Sequence, residues 1–464
     1  MSEEDEIARL YKRLARLDDA VVLQRMQAHG YWPAQTGFPP DPSDEANERR
    51  EIEAELARIG KSAVTQDVEP ALKAERIRRW DESKKRRSIK KAERDAQRRA
   101  QLQAWAQIKA ATIVHAGIGV SAQLGDTHSD VDKLTAQGLP ILHSAADLAA
   151  ALGISMSRLR WLSFHRRGAT LVHYHRYGIA KKSGGIRAIS APKPVLDQCQ
   201  RWILAHILTP LPVTQYAHGF VSARSCVSNA AQHIGRKVLI NMDLKDFFPS
   251  IHFSRVRGLY RAFGYSGAVA SLLALLCTEP PRIAASIAGD PRQRVFHVAL
   301  GDRCLPQGAC CSPAITNLIC KGFDQRLAGL ARKQGYTFTR YADDLSFSGD
   351  NRDAVGALLG AVRRVVANEG FAEHPDKTQI MGQARRQEVT GLVVNHAVGL
   401  KREDKRRLRA MLHNAAKFGL ESQNRENHPN FAHYLQGWVA YAVMVDPSSA
   451  AVWKSALRRA LKNA

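Results

Sequence analysis

Two adjacent acids at a bend between strand-forming residues constrain this chain more than any other feature. In TFTRYADDLSFSG, residues 337–349, Asp343 and Asp344 interrupt a run rich in Thr, Phe, Tyr and Ser. Its partial alternation predicts two short strands with the acids at the turn. Neighbouring carboxylates repel, so folding gains nothing from the pair itself. A solvated hairpin turn accommodates them, because Asp is a common turn residue; a bound cation would require them. A second stretch bears on the choice. KVLINMDLKDFFPSI, residues 237–251, reads as an apolar strand from Val238 to Met242 that ends on Asp243, with aromatics and a Pro following. A strand ending in a carboxylate, near a hairpin carrying two more, is a way to build a pair of Mg²⁺ sites. Mg²⁺ is hard and takes oxygen ligands, usually one or two carboxylates plus substrate phosphate oxygens. Two such ions about 4 Å apart stabilise both the attacking and the leaving oxygen of a phosphoryl displacement.

The composition points to a compatible partner. At 464 residues the chain holds two or three domains, and 68 Lys and Arg against 44 Asp and Glu give a formal charge of +24. An excess of that size implies a polyanion, with nucleic acid the first candidate. A membrane surface is the rival, but no apolar run reaches the roughly 18 residues of a span, and SLLALLC at 271–277 is far too short. The acidic start MSEEDEIARL lacks a signal-peptide pattern. Seven cysteines without C-x-x-C spacing read as reduced thiols, so a cytoplasmic protein without a zinc framework or membrane partner is expected. The histidines of HYH, 173–175, read as two residues on one strand face rather than metal ligands.

Residues 1–135 differ from the rest. WPAQTGFPPDPSDE is a Pro-rich break, and Ala71–Ala100 carries 13 Lys or Arg and 5 Asp or Glu, a net of +8. That segment reads as a long exposed basic helix or helical pair, either a solvated face or a contact for nucleic acid or a partner. DLAAALGISMSRLRWL, 147–162, has helical spacing broken at GIS. It resembles the start of a helix-turn-helix reader, but strand-like sequence follows at once, which favours two helices packing on the next domain. Strand signals then recur in TLVHYHRYGI, GIRAISAP, KVLINMDL, RVFHVAL, the acid hairpin and EVTGLVV, between helical stretches such as PVLDQCQRWILAHIL and DAVGALLGAVRRVVANEG. The fold class expected is α+β with a largely antiparallel sheet. Basic helices return from about 399.

A third element, CLPQGACCSPAITNLIC at 304–320, is a Pro-Gln-Gly turn leading through Ser312 and Pro313 into a helix, by itself an ordinary loop-to-helix junction. In order and spacing, the strand-borne Asp followed by FF, then LPQG…SP, then YADD resemble the palm motifs of the reverse transcriptases, over about 140–464. The resemblance implies a right-hand polymerase fold: a basic, largely helical N-terminal extension (1–135), fingers and palm with an antiparallel sheet (136–395) and a helical thumb (396–464). Finer features resemble the bacterial retron branch. Asn229, Ala230 and His233 of NAAQH match its N-A-x-x-H signature, and Val389, Thr390 and Gly391 match its VTG signature. GGIRAISAP resembles its first finger motif and YLQGWVAYAVMVDP the end of its thumb. Taken alone, Asn229 suits a helix cap and Gly391 a strand bend. Cys310 and Cys311 depart from the residues more usual in that turn, but small, soft Cys packs acceptably there. The Gln-Gly-x-x-x-Ser-Pro frame is kept, which argues against the diversity-generating branch.

By resemblance, Asp243 and Asp343 bind both of two Mg²⁺ ions, Asp344 adds a carboxylate and Leu244 a carbonyl. The primer hydroxyl then attacks the α-phosphorus of a dNTP and pyrophosphate leaves. Arg187 should hold the triphosphate, since a guanidinium fork suits phosphate oxygens, unless it is a plain surface strand residue. Backbone N–H groups around Phe247 and Phe248 should cradle the phosphates. Phe248 stands where the family places its sugar gate, with core packing the alternative. Gln307 should approach the incoming nucleotide and Tyr341 the primer end, while Lys401, Lys405, Arg406 and Arg407 track the duplex. The retron resemblance further implies a cognate structured noncoding RNA, copied from a 2′-hydroxyl within it into a branched RNA–DNA hybrid (multicopy single-stranded DNA, msDNA), and antiphage defence with an effector on a separate chain. A group II intron maturase should add DNA-binding and nuclease segments beyond the thumb, for which the chain leaves no room. An RNA-dependent RNA polymerase would show Gly-Asp-Asp. A non-catalytic RNA-binding protein explains the charge but not three acids on two strand ends.

Overall fold

The computed structural model describes residues 19–37, 43–62, 69–180, 184–286 and 294–462. The chain divides into two compact units, Met1–Gly125 with Ala145–Phe164, and Asp126–Ser144 with His165–Ala464.

The first unit is dominated by one helix, Glu69–Ala111, with no buried residue along its 43 positions. Ala, Gln, Glu, Lys and Arg are strong helix formers, and no Gly or Pro interrupts them after Pro70. At ~1.5 Å per residue the helix is about 65 Å long. The shorter helix Ser43–Ser62 runs antiparallel beside it, since Glu55 meets Arg79 at 3.3 Å while Glu48 meets Arg86 at 3.9 Å. The basic segment is therefore one continuous helix with a partner. Helices Ala145–Ala151 and Met156–Ser163 belong to this unit. Ser155 caps the second of them by accepting from the Arg158 N–H at 3.2 Å. Its Arg160 guanidinium donates to the carbonyls of Lys109 and Thr112, at the C-terminal end of the long helix, where orphan carbonyls favour a cation.

The second unit is α+β with antiparallel sheets, as the sequence predicts. Its main sheet has neighbouring strands in the order Gln379–Gly382, Val238–Lys245, Asp344–Gly349, Tyr336–Tyr341, all antiparallel. The short strand Ala372–Glu373 pairs with the end of Val238–Lys245. The central strand owes its place to a nearly continuous apolar run: Val238, Leu239, Ile240, Met242 and Leu244 are all buried. Helix Lys321–Lys333 packs on strand Tyr336–Tyr341, with Val355–Asn368 beside it. The run containing SLLALLC forms helix Gly267–Cys277, buried at every position, which explains an apolar pattern without periodicity. Among the described residues no helix is long and apolar enough to cross a membrane. A separate hairpin, Tyr174–Ala180 with Ile186–Pro192, places Arg187 opposite Ile179. Its tip at 181–183 lies outside the described residues.

Helices Arg402–Phe418, Phe431–Val445 and Ala450–Lys462 close on Leu408, Leu412, Leu435, Val439, Trp453 and Ala460. The same apolar cluster takes in Val389, Leu392 and Leu239, so the bundle shares a core with the main sheet. EVTGLVV is not a single strand. It is a miniature hairpin, Glu388–Val389 with Leu392–Val393, turning at Thr390 and Gly391 with φ of +48° and +83°. Two successive left-handed residues give the turn that matches strand twist, and Gly meets the second requirement at no steric cost.

Candidate active site

The acid hairpin has the form its sequence predicts, strands Tyr336–Tyr341 and Asp344–Gly349 joined by Ala342 and Asp343. Ala342 is left-handed at φ +57°, which costs a non-glycine residue roughly 1–2 kcal/mol. Buried polar groups hold it there. Arg340 donates to the Ala342 carbonyl at 3.2 Å and to Asn317 Oδ1 at 3.0 Å, and pairs with both oxygens of Asp324 at 2.6 and 2.9 Å. Arg340 and Asp324 are completely buried. Asn317 Nδ2 in turn donates to the Gly219 carbonyl at 2.9 Å. Gly219 lies so close to the hairpin that a Cβ there would come within 2.6 Å of the Ala342 nitrogen.

Sheet register gathers the three acids. Asp243 stands directly opposite Asp344, and the Leu244 N–H donates to the Asp343 carbonyl at 3.0 Å. Burial, and then the charge of Asp243, raise the affinity of Asp343 for a proton, opposed by Lys377 and Arg187. Asp344 is pushed up to about 7, by burial first and then by Asp343 and Asp243. Its side chain is nonetheless exposed, so water screens part of the burial effect and the repulsion persists. Lys377 Nζ sits 2.9 Å from Asp243 Oδ2 and offsets one of the charges. Among the described residues no three His, Cys, Asp or Glu side chains stand grouped so as to hold an ion by themselves. The donors are nevertheless all oxygen, and their mutual repulsion is relieved by a hard cation. The set fits Mg²⁺ sites completed by phosphate oxygens rather than by more protein.

The Pro-Gln-Gly turn is locked by Ser312 Oγ donating to the Pro306 carbonyl at 2.7 Å, and the Gln307 carbonyl accepts from the Ser190 N–H of the Arg187 strand at 2.7 Å. Gly308 is left-handed at φ +113°, and a Cβ there would come 2.7 Å from Ile189. Cys311 is buried, its Sγ donating to the Gln200 carbonyl at 3.0 Å. Phe247 is buried against Phe371, with ring centroids 5.3 Å apart, whereas Phe248 is half-buried. Arg187 is exposed and its charge is felt at Asp343; Tyr341 is half-buried and pairs across the hairpin with Asp344. The thumb cations divide. Lys401 is engaged by Glu388 at 2.7 Å and Arg407 by Glu426 at 2.9 Å; Lys405 is half-buried and Arg406 exposed.

The two short signatures meet. Helix Cys226–Ala230 packs on the Glu388–Val393 hairpin, and Thr390 Oγ1 donates to the Cys226 carbonyl at 3.3 Å. Asn229 is not the helix cap. Ser225 and Ser228 form that cap reciprocally, while Asn229 lies buried inside the helix, its side-chain amide without a partner among the described residues. His233 is fully buried and bridges the two strands of the acid hairpin, through Ser348 Oγ and Thr339 Oγ1, each at 2.7 Å. Burial lowers its pKa to about 3. Unfolding restores a pKa near 6.5, so protonation between those values favours the unfolded chain, and this contribution to stability falls as pH drops below about 6.5.

Sequence reading missed Lys377, Asn317 and the Arg340–Asp324 pair. Lys377 lies in HPDKTQ without a periodic signal, and it is brought to Asp243 by the strands on either side of it, Ala372–Glu373 and Gln379–Gly382, which both pair with Val238–Lys245, and by the His374 N–H donating to the Asp243 carbonyl at 2.8 Å. Nor could spacing reveal that Asp324, 16 residues before Arg340, shares its interior.

Comparison with known proteins agrees with this geometry. Residues 179–394 match the reverse transcriptase (RNA-dependent DNA polymerase) family. The chain is 40% identical over 422 residues to the retron Mx162 reverse transcriptase of Myxococcus xanthus, covering 86% of this chain and 83% of that one. It is 45% identical over 327 residues to the retron Mx65 reverse transcriptase of the same organism, covering 70% and 74% respectively. Among solved structures, telomerase from Candida albicans bound to a telomeric RNA fragment overlaps 62% of this chain and 63% of its own at a TM-score of 0.38 and 9% identity, too slight a likeness to bear on function. With the palm acids on adjoining strands and both retron signatures in place, the chain belongs to the retron reverse transcriptases, RNA-directed DNA polymerases of right-hand fold.

Proposed function

We propose that this enzyme copies part of a cognate structured noncoding RNA, priming from a 2′-hydroxyl within it, to give branched msDNA that serves antiphage defence in the cytoplasm with a separate effector chain. The observation that supports this most is the joining of the N-A-x-x-H and VTG segments to each other, with His233 of the first bonded to the back of the acid hairpin. Residues 136–395 act as fingers and palm and 396–464 as thumb. Asp243, Asp343, Asp344 and the Leu244 carbonyl would hold two Mg²⁺ ions. Bound there, the ions neutralise the carboxylates and stabilise the attacking and leaving oxygens. Lys377, 2.9 Å from Asp243 Oδ2, offsets part of the charge of the same carboxylate. Arg187 and the backbone N–H groups around Phe247 and Phe248 grip the triphosphate, Gln307 lies along the incoming nucleotide, and Tyr341 supports the primer end. Lys405 and Arg406 are better placed than Lys401 and Arg407 to track the duplex, since the latter pair are already engaged by carboxylates.

Nucleic acid recovered with the enzyme from its native cells tests the reading. A DNA strand joined to RNA by a branch, shifted in mobility by a debranching nuclease, is expected. RNA carrying no covalently attached DNA would exclude it, and intron RNA would favour the maturase alternative.

The basic helix supports binding rather than chemistry. Lys84, Lys85, Arg86, Arg87, Lys90 and Lys91 all lie on it and are all exposed. Replacing all six by Gln in the full-length enzyme should flatten the slope of log affinity for the structured RNA against log salt. The change expected is about 0.7–0.9 for every phosphate that is no longer neutralised. Extension of an annealed primer on a generic template should be unchanged. An unaltered salt slope would make this helix a protein-docking arm.

A further inference from the structure

The turn AHGFVSARS, residues 217–225, carries an aromatic residue that no step above uses. Phe220 is 59% exposed, yet its backbone is left-handed at φ +60°, a conformation that bulky residues adopt only under constraint. The constraint comes from both sides. Gly219 is pressed against the Ala342 nitrogen and its carbonyl is held by Asn317. The Arg224 guanidinium donates to the carbonyls of Thr214, at 2.6 Å, and Ala217, while Ala223 is again left-handed at φ +60°. The fold thus fastens this turn to the catalytic hairpin through two unfavourable backbone conformations and leaves a phenyl ring in water. An exposed ring adds little to stability, and strain held beside an active site is a sign of use. The ring lies 6.4 Å from that of Phe248, inclined at 57°. Phe248 also meets Phe247, at 5.8 Å, whose ring is anchored in the core by Phe371.

We propose that Phe220 is the second wall of the sugar pocket and a determinant of nucleotide specificity. The Phe248 ring has both Phe247 and Phe220 beside it, and Phe220 keeps Phe248 from swinging aside to admit a ribose 2′-hydroxyl. The inference rests on Phe248 as the sugar gate. It requires no movement of the turn, which is already fixed to the hairpin that carries the acids.

Steady-state kcat/KM for dGTP and rGTP opposite template C, measured for wild type, Phe220→Ala, Phe220→Tyr, Phe248→Ala and the double Ala variant, tests it. Phe220→Ala should lower the preference for dGTP about tenfold, the range an apolar pocket contact supplies, mainly through a lower KM for rGTP. Phe220→Tyr should keep the wild-type preference. Because the ring is exposed, the thermal midpoint of Phe220→Ala should match wild type. The double variant should discriminate no worse than Phe248→Ala, as expected of two residues acting on one gate. A preference unchanged in Phe220→Ala but lowered in Phe248→Ala would overturn the role of Phe220 alone. No change in Phe248→Ala would overturn the gate on which it rests. Equal losses for dGTP and rGTP in Phe220→Ala would make the residue a support of the fold or template, and would also overturn the proposal.

Discussion

The double substitution Asp343→Asn with Asp344→Asn is expected to lower dNTP incorporation by about a thousandfold or more while raising the thermal midpoint of the metal-free enzyme at pH 8. A thousandfold corresponds to ~4 kcal/mol of lost transition-state stabilisation, within what removing two carboxylates from a metal-assisted site supplies. The stability change has the opposite sign because the acids oppose folding. Asp344 has a folded-state pKa of about 7, against an unfolded value near 3.9. The folded enzyme therefore binds more protons than the unfolded chain across that window, and its stability falls as pH rises from about 4 to 7. Above pH 7 the whole penalty is present, and Asn removes it. The stabilisation should fade towards pH 4 and should shrink when Mg²⁺ is added to the wild type, since a bound cation relieves the same repulsion. Calorimetry with and without Mg²⁺ at two pH values, beside a primer-extension assay, measures all of this. Near-normal synthesis in the variant would remove the acids from the chemistry; a lowered midpoint at pH 8 would mean that they stabilise the hairpin.

Breaking the buried pair beneath the hairpin should have the largest effect on stability. Asp324→Asn or Arg340→Met leaves one charge or its hydrogen-bonding groups uncompensated in the interior, at a cost of about 3–5 kcal/mol. For a unit of this size that is a fall in midpoint of about 5–7 °C. Replacing both residues by apolar ones, Arg340→Met with Asp324→Leu, should recover much of the stability, because no buried charge is left over. Synthesis should not recover with it. Arg340 also donates to Asn317 and to the carbonyl of left-handed Ala342, and no apolar side chain replaces those bonds. Return of full activity with stability would show that the turn keeps its shape unaided. Thermal melts and single-turnover extension on the three variants separate the outcomes.

What the sequence determined by itself is what local pattern can carry. The apolar run leading to Asp243, the alternating residues about Asp343 and Asp344, and the helix after the Pro-Gln-Gly turn each depend on near neighbours; the hairpin and the helix have the predicted form, and the strand runs two residues past Asp243 to Lys245. The antiparallel α+β class follows from the same signals. Motif order added the family, since acids on two strand ends with an intervening turn-helix form an ordered set that local structure alone does not require. Tertiary structure decided the rest, because strand register and side-chain contact join residues far apart in the chain. Asp243 meets Asp344 across a gap of 101 positions, and Lys377 reaches Asp243 between two short strands, Ala372–Glu373 and Gln379–Gly382, that pair with the Asp243 strand. The polar groups that carry no local signal were settled there too. Asn229, which suits a cap by type, is buried within its helix because Ser225 and Ser228 already satisfy the terminus. His233, known from sequence only as part of a signature, is a buried brace between Thr339 and Ser348. Arg340, by sequence one more strand residue, is the fully buried centre of the network that holds the turn. Its charge is tolerated in the interior only because Asp324, Asn317 and the Ala342 carbonyl converge on it, and that convergence exists only once the chain has folded.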